Sequence, residues 1–147
     1  LLSKVDLVRI AHVGSTAING IWAKPTIDIL IETKNTKEFE VVYQVLLDGG
    51  YSCMYKNERI GFNKGYTKDG FAERVFHIHV RNYGDHDELY FRDYMNEKSL
   101  LAKEYEDLKL ELWKQYEHDR DGYTEAKTDF IKTYTEQAKK EYAGRYE

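Results

Sequence analysis

A turn of small residues and a single acid on the next predicted strand have the groups needed to bind an anion or a metal. The turn is Gly14-Ser15-Thr16, and the acid is Asp28 in the strand predicted over Thr26–Glu32. Glycine adopts backbone angles closed to other residues, so the N–H groups and hydroxyls of this turn can approach a phosphate closely. The apolar neighbours of Asp28 alternate with it, so its carboxylate should face away from them. A donor-rich turn beside an acid suits phosphoryl or nucleotidyl transfer.

Two histidines at alternate positions form the second candidate group. His77 and His79 lie in the segment FHIHV and should project from one face of a strand. If that strand lies beside the strand of Asp28, the three side chains make a His-His-carboxylate set of the kind that binds zinc or non-haem iron. The same histidines suit an anion site, because Arg74 and Arg81 flank them and arginine makes bidentate phosphate contacts.

Each group also has a purely structural interpretation. Gly-Ser is typical of an ordinary capped turn, Asp28 has Lys24 as a candidate ion-pair partner, and an isolated His-x-His is often a surface feature. A buried unpaired carboxylate costs on the order of several kcal/mol, which favours a role for the acid. His12 adjoins the turn and joins the candidate site, whereas His86 and His118 lie in charged contexts and are predicted to be on the surface.

The run HVGSTAINGIWAKPTIDI resembles the signature of the GrpB family, in which a His-hydrophobic-Gly-Ser-Thr-Ala turn precedes Ala-Lys-Pro and an Ile-Asp pair. Asn19 stands where that signature is expected to have proline. Further matching segments are Arg74 with FHIHV, FRDYM at Phe91–Met95 and YTEAKTDFI at Tyr123–Ile131, so the resemblance spans nearly the whole chain.

The resemblance implies the nucleotidyltransferase fold of the DNA polymerase beta superfamily, in which a Gly-Ser turn precedes a strand with two metal-binding acids at alternate positions. Asp28 matches the first acid, but Leu30 stands at the second. The expected cofactor is a divalent metal, magnesium, or zinc if the histidines ligate. The expected ligand is a nucleotide or a phosphorylated small molecule, such as a CoA precursor, because related domains occur fused to dephospho-CoA kinase.

Two residues outside the central segments also have candidate roles in nucleotide binding. In nucleotidyltransferase-like folds a lysine on a late helix often reaches the phosphates, and Lys127 lies in the matched segment YTEAKTDFI. A plain surface lysine is an equally good interpretation. Trp22, in the loop between the turn and Asp28, is a candidate for covering a nucleobase, although tryptophan more often serves packing.

Hydrophobic periodicity predicts the elements that must position these groups. An apolar run ending at Val13 leads into the turn, and Asn35 with Glu38 resembles a capping box for a helix that Gly49-Gly50 ends. The remaining predicted strands are Thr26–Glu32, Tyr51–Tyr55, Ile60–Tyr66 and Phe71–Arg81, with Gly61, Gly65 and Gly70 expected to break the strand-like segments.

Beyond Gly84 the pattern is helical. Gly122 is predicted to end a long helix, and Tyr123 or Thr124 to begin the last one. Strands first and helices last predict an α+β domain, and the resemblance specifies a nucleotidyltransferase-like mixed β-sheet flanked by helices, with C-terminal helices. In FRDYM, Arg92 is a candidate for reaching a ligand phosphate, but pairing with Asp93 or with a sheet-edge acid is the favoured interpretation. The outer face of the long helix is predicted to be solvated and carries Lys103, Glu104, Glu106, Asp107, Lys109, Glu111 and Lys114.

Length and composition narrow the class of protein. The chain has 147 residues, which fits a single domain, 1-147. A net charge of −4 argues against a broad nucleic-acid interface. The one cysteine forms no internal disulfide, and no apolar run is long enough for a membrane span or a signal peptide, so a cytoplasmic protein without membrane attachment is expected. The chain begins at Leu1, and from the resemblance a helical segment is expected to precede it.

Two main functional hypotheses follow. The first is a metal-dependent nucleotidyltransferase in which Asp28 and His79 are catalytic, and Asp28, His77 and His79 bind the metal. The second is a non-catalytic module that binds a nucleotide or a CoA precursor. A third, a His-His-Asp metal hydrolase, is weaker. The residues expected to bind the ligand are His12, Gly14, Ser15, Thr16, Lys24, Arg74 and Lys127.

Overall fold

The computed structural model describes residues 5, 7–23, 26–67, 70–116 and 118–146, without the side chains of residues 66, 67, 70–74 and 120. The chain forms two compact units. The first comprises Leu1–Ala17 and Lys24–His86, and the second comprises Ile18–Ala23 and Asp87–Glu147.

The first unit is a five-stranded mixed sheet with one α-helix. Its strands lie in the order β1-β2-β5-β4-β3. Strands β2 and β5 are parallel, and the other neighbouring strands are antiparallel. The mixed sheet predicted from the sequence is therefore confirmed. The elements are β1 (Leu7–Val13), a 3-10 turn (Ser15–Ala17), β2 (Thr26–Thr33), α1 (Thr36–Asp48), β3 (Ser52–Lys56), β4 (Ile60–Thr67) and β5 (Gly70–Arg81).

Helix α1 packs on one face of the sheet, and the polar candidates lie on the other. The predicted cap is confirmed, since the Asn35 side chain accepts a hydrogen bond from the N–H of Glu38 at 2.9 Å. Because alternate strand residues face opposite sides, the apolar residues that contact α1 leave Asp28, His77 and His79 on the opposite face. The core beneath α1 consists of Ile31, Phe39, Val42, Leu46, Ile60, Phe62, Ile78 and Val80.

The prediction that glycines break the middle strands was wrong. Strand β4 runs through both Gly61 and Gly65. Gly65 has a φ of 110°, and the pairing of β4 with β5 shifts between Lys64 and Tyr66. Gly70 begins β5. A bulge at a glycine bends a strand without ending it, which explains why the strand is longer than predicted.

The second unit consists of three helices and the segment 18–23. The helices are α2 (Asp87–Glu97), α3 (Ser99–Gln115) and α4 (Arg120–Glu141). Within the described part of the chain, none of the helices combines the length and hydropathy that a membrane crossing demands. The buried residues of this core are Ile18, Tyr90, Phe91, Tyr94, Met95, Ala102, Tyr105, Ala138 and Tyr142.

In the helical unit, the start of the last helix differs from the prediction, and the pairing of Arg92 agrees with it. The last helix begins at Arg120, so the prediction that Gly122 ends the previous helix was wrong. Asp119 caps α4 by accepting the N–H of Gly122 at 3.0 Å, which places the glycine in the first turn. The predicted pairing of Arg92 is confirmed, with Nε donating to Asp93 at 3.0 Å.

Lys109 is buried, and the prediction that it belongs to a solvated surface was wrong. Its side chain lies in α3, and Nζ donates to the carbonyl of Trp22 at 2.9 Å. Nζ also lies 4.9 Å from the ring centroid of Tyr105. A buried ammonium is stable only with such acceptors, so Lys109 holds the segment 18–23 against α3.

We expect Lys109→Met to lower the free energy of unfolding by about 1–3 kcal/mol, because the carbonyl of Trp22 loses its donor. Urea denaturation followed by circular dichroism measures the change. Lys114→Met, at an exposed position in the same helix, is the control and should stay within about 0.5 kcal/mol. Equal losses in both variants would contradict the anchoring role of Lys109.

Candidate functional site

Asp28 and the two histidines lie together on the face of the first unit's sheet that is opposite α1. The parallel pairing of β2 with β5 sets Asp28 opposite His77 and Leu30 opposite His79. Nε2 of His79 lies 3.0 Å from Oδ1 of Asp28, a hydrogen-bond distance. Nδ1 of His77 lies 3.8 Å from the same oxygen. The adjacency of the two strands, on which the His-His-carboxylate hypothesis depended, is confirmed.

The turn at Gly14 is in direct contact with the carboxylate of Asp28. Strand β1 pairs with β2 so that Val13 lies opposite Asp28, and the chain turns at the next residue. Gly14 has a φ of +75°, and a Cβ atom there would lie 2.4 Å from Oδ2 of Asp28. Only glycine satisfies both the backbone angle and this close approach. The turn and the acid therefore form one structure, in which Ser15 and Thr16 continue from Gly14 as the 3-10 turn.

The carboxylate and the imidazoles are half-buried, which leaves part of each surface open to a ligand. The exposed fractions of the side chains are 24% for Asp28, 19% for His77 and 26% for His79. Nδ1 of His79 is buried and has no hydrogen-bond partner among the described residues. A buried polar atom without a partner costs free energy, so a ligand or a water that reached it would be stabilising.

His12 lies on the other face from Asp28. It pairs with Ile29 in the register of β1 and β2, and strand alternation therefore directs it away from the acid. Its Nε2 is 2.8 Å from the hydroxyl of Thr16, which itself donates to the carbonyl of Thr26 at 3.0 Å. A hydroxyl has one proton, so His12 donates here and Thr16 accepts. Both residues tie the turn to the start of β2.

The remaining predicted binding residues are not placed beside the acid by the structure. Lys24 and the side chain of Arg74 lie outside the described residues. Lys127 belongs to α4 in the second unit, where Nζ lies 4.9 Å from the ring centroid of Tyr123. Trp22 also belongs to the second unit, where its backbone N–H donates to the carboxylate of Glu106. Their roles in ligand binding stay predictions.

Asn63 is a neighbour of the histidines that the sequence did not indicate. It lies on β4 directly opposite His77, so its amide is on the same face. Asn63 is half-buried, and its side chain makes no hydrogen bond within the described part of the chain. A single asparagine in a strand has no distinctive pattern, and only the register of β4 on β5 reveals its position.

The sequence also missed a buried charged cluster farther along the same strand face. Glu32 is fully buried, and its Oε1 lies 3.0 Å from Nε of Arg9 and 3.0 Å from Nδ1 of His86. Its Oε2 accepts the N–H of Gly84 at 2.9 Å. The prediction that His86 is a surface residue was wrong, because its ring packs beside this carboxylate. The even spacing of Asp28 and Glu32 along β2 was the available signal.

The three donors do not fit a metal ion held by all of them. Both imidazoles direct a nitrogen at one oxygen of Asp28, so the groups contact one another rather than a shared centre. No group of three or more His, Cys, Asp or Glu side chains among the described residues has an arrangement that could hold a metal. Leu30, at the position of the second acid, is fully buried. Magnesium and zinc stay predictions, and no step below depends on them.

Comparisons with known proteins give a consistent result. The model of the family described as GrpB protein matches residues 1–137. The UPF0157 protein YqkA of Bacillus subtilis is 33% identical over 143 residues, which cover 95% of this chain and 41% of that protein. The UPF0157 protein PA4798 of Pseudomonas aeruginosa is 34% identical over 126 residues, or 83% of this chain and 52% of that protein.

A solved structure shares the fold. The crystal structure of conserved protein GrpB from Enterococcus faecalis is 26% identical, covers 96% of this chain and 85% of that one, and has a TM-score of 0.79. The α+β class predicted from the sequence is therefore confirmed. The chain spans about half the length of the two curated relatives described above.

Proposed function

The chain belongs to the GrpB family, and we propose that its first unit binds a nucleotide or another phosphorylated small molecule at the group formed by Gly14, Asp28, His77 and His79. The observation that carries this proposal is the hydrogen bond of 3.0 Å between His79 and Asp28, made directly against the Gly14 turn. We call this group the Asp-His site.

The hydrogen bond to Asp28 determines what His79 offers a ligand. When Nε2–H of the neutral His79 ring donates its hydrogen bond to Asp28, the Nδ1 atom is an acceptor. Nδ1 is the buried atom that has no partner among the described residues. An acceptor in this position suits a hydroxyl group, such as a ribose hydroxyl, rather than a phosphate oxygen.

The phosphate end of the ligand is assigned to the turn. Gly14 brings the backbone close to Asp28 with positive φ, and the N–H groups after such a glycine can converge on an anion. The hydroxyl of Ser15 is the side-chain donor nearest in sequence to this backbone.

The Asp-His pair also favours a second function, nucleotidyl transfer. His79, oriented by Asp28, is arranged as a general base that takes the proton of an acceptor hydroxyl. That oxygen would bond to the α-phosphorus of a nucleoside triphosphate, while the bond to pyrophosphate breaks and pyrophosphate leaves with its electron pair. The acceptor is an alcohol held at Nδ1. This reaction would make the protein an enzyme rather than a binding module.

Isothermal titration calorimetry with ATP, dephospho-CoA and coenzyme A tests the proposed binding. We expect saturable heat with at least one of these compounds, in EDTA as well as in magnesium. Asp28→Asn and His79→Ala should each weaken binding about 10- to 100-fold, because each removes one partner of a hydrogen bond that includes a charged group. His118→Ala, at an exposed position outside this site, is the control. Melting temperatures measured in parallel show whether each variant is folded.

The outcomes separate the two functions. Absence of heat with all three compounds would overturn the proposal, as would wild-type affinity in a folded Asp28→Asn variant. Release of pyrophosphate from ATP in the presence of an alcohol acceptor, lost in His79→Ala, would establish transfer. Binding without any product would exclude transfer under these conditions and support the binding function alone.

A further inference from the structure

The face that carries the Asp-His site continues across two more strands. In the register of β5 and β4, His79 lies opposite Gly61, and in that of β4 and β3, Gly61 lies opposite Tyr55. Directly opposite residues of antiparallel strands have side chains on the same face, about 5 Å apart at Cβ. On this face, the residue of β4 that lies next to His79 is therefore a glycine, which has no side chain to cover the backbone.

A β-bulge places Tyr55 on this face. Cys53 pairs with Phe62 and Tyr55 pairs with Gly61, so β3 has one more residue than β4 between these pairs. In a regular register without the bulge, Met54 would lie opposite Gly61, and alternation would put Tyr55 on the α1 side together with Cys53. Bulges of this type redirect side chains and are frequent beside functional sites.

The ring of Tyr55 occupies the space above Gly61. A Cβ atom on Gly61 would lie 2.3 Å from Cε1 and 2.6 Å from Cζ of this ring. The ring therefore lies across the backbone of β4, next to the position of His79. Tyr55 is nevertheless 42% exposed, so the ring keeps free surface despite its contact with β4.

Asn63 lies on β4, the strand whose backbone at Gly61 the ring of Tyr55 covers. It is two residues from Gly61 along β4, and therefore on the same face, opposite His77. Its amide combines one acceptor oxygen with two donor protons, which matches the paired donor and acceptor edge of a nucleobase. An exposed aromatic ring beside such an amide is a common arrangement for holding a base by stacking and edge hydrogen bonds.

We propose that Tyr55 stacks on a nucleobase and that Asn63 binds the edge of the base. The ligand of the Asp-His site is then a nucleotide, and a phosphorylated compound without a base binds more weakly. This inference rests on the proposed function, because it assigns the part of the ligand that extends from the turn toward β3. The competing interpretation is that the ring only covers the backbone of Gly61, and Tyr55→Leu tests it by keeping apolar cover without an aromatic ring.

The experiment compares ATP with inorganic tripolyphosphate by calorimetry. Wild-type protein should bind ATP at least about tenfold more tightly than tripolyphosphate. Tyr55→Leu should weaken the affinity for ATP about 5- to 100-fold, the range measured for loss of one base stack. Tyr55→Phe should keep an affinity for ATP within about threefold of wild type. Neither variant should change the affinity for tripolyphosphate. Met54→Ala, at the exposed neighbouring residue of the bulge, is the matched control.

A second comparison isolates the edge contact. Asn63→Ala should weaken ATP binding about 2- to 10-fold, because the base loses hydrogen bonds at its edge, and should leave the affinity for tripolyphosphate unchanged. Equal wild-type affinity for ATP and tripolyphosphate would overturn the inference and leave the proposed function standing. So would wild-type ATP affinity in Tyr55→Leu, provided that Asp28→Asn still weakens binding. Absence of binding to both compounds in wild type would overturn the inference, and absence of heat with dephospho-CoA and coenzyme A as well would overturn the proposed function.

Discussion

Gly14→Ala is expected to lower the free energy of unfolding by about 2–5 kcal/mol and to weaken ATP binding at least tenfold. Two costs add. A non-glycine residue at the φ of +75° costs about 1–2 kcal/mol. The new methyl group, 2.4 Å from Oδ2 of Asp28, forces a shift that costs about 1–3 kcal/mol as overpacking. Because the shift acts on Asp28, it also disturbs the hydrogen bond to His79.

Gly20→Ala separates these two costs. Gly20 has a φ of +77°, almost the same angle, but a Cβ atom there would meet no atom within 4 Å. This variant should lose only the backbone contribution, about 1–2 kcal/mol, and keep its affinity for ATP. Urea denaturation and calorimetry on both variants provide the test. Equal stability losses in the two variants would show that contact with Asp28 does not require glycine at position 14.

Glu32→Gln is the second substitution expected to have a large effect, a loss of about 3 kcal/mol in the free energy of unfolding. Removing one member of a buried ion pair leaves the other charge uncompensated, which costs about 3–5 kcal/mol. We expect the lower end of that range because the side chain of Arg9 is 25% exposed and so keeps some contact with water. The amide oxygen retains one acceptor for Gly84 or His86, but the charge opposite Arg9 is lost.

The matched control is another glutamate of the same unit. Glu40 forms an ion pair of 3.0 Å with Lys56, but their side chains are 51% and 34% exposed. Glu40→Gln should change stability by less than about 1 kcal/mol, because water screens exposed pairs. A similar loss from both variants, measured by thermal and urea denaturation, would contradict the special contribution of the buried cluster.

Local pattern was enough to predict the central part of the site. Alternation along β2 and β5 assigned Asp28, His77 and His79 to defined strand faces, and Gly14 to a turn with unusual backbone angles. What alternation does not supply is which strands are neighbours. The parallel pairing of β2 with β5 determines that these faces coincide, and the sequence supported it only through a family resemblance.

The errors have a common physical origin, in that each residue's environment depends on segments distant in sequence. Lys109 lies on the apparently polar face of α3, but the carbonyl of Trp22 and the ring of Tyr105 make its burial favourable. His86 lies between Asp85 and Asp87 in sequence, but its Nδ1–H donates a hydrogen bond to Glu32 on β2. The orientation of Tyr55 depends on a single-residue bulge that no periodicity reveals. Composition alone does not distinguish these side chains from solvated ones.

The parallel pairing also determines when the binding site can arise. Asp28 and His79 are 51 residues apart in sequence, with α1, β3 and β4 between them. Such a contact closes a long loop, and distant pairings of this kind form slowly. A growing polypeptide on the ribosome thus does not form the Asp-His site until β5 has emerged and docked. A ligand of this site can stabilise the completed sheet, but the earlier intermediates offer it no binding site.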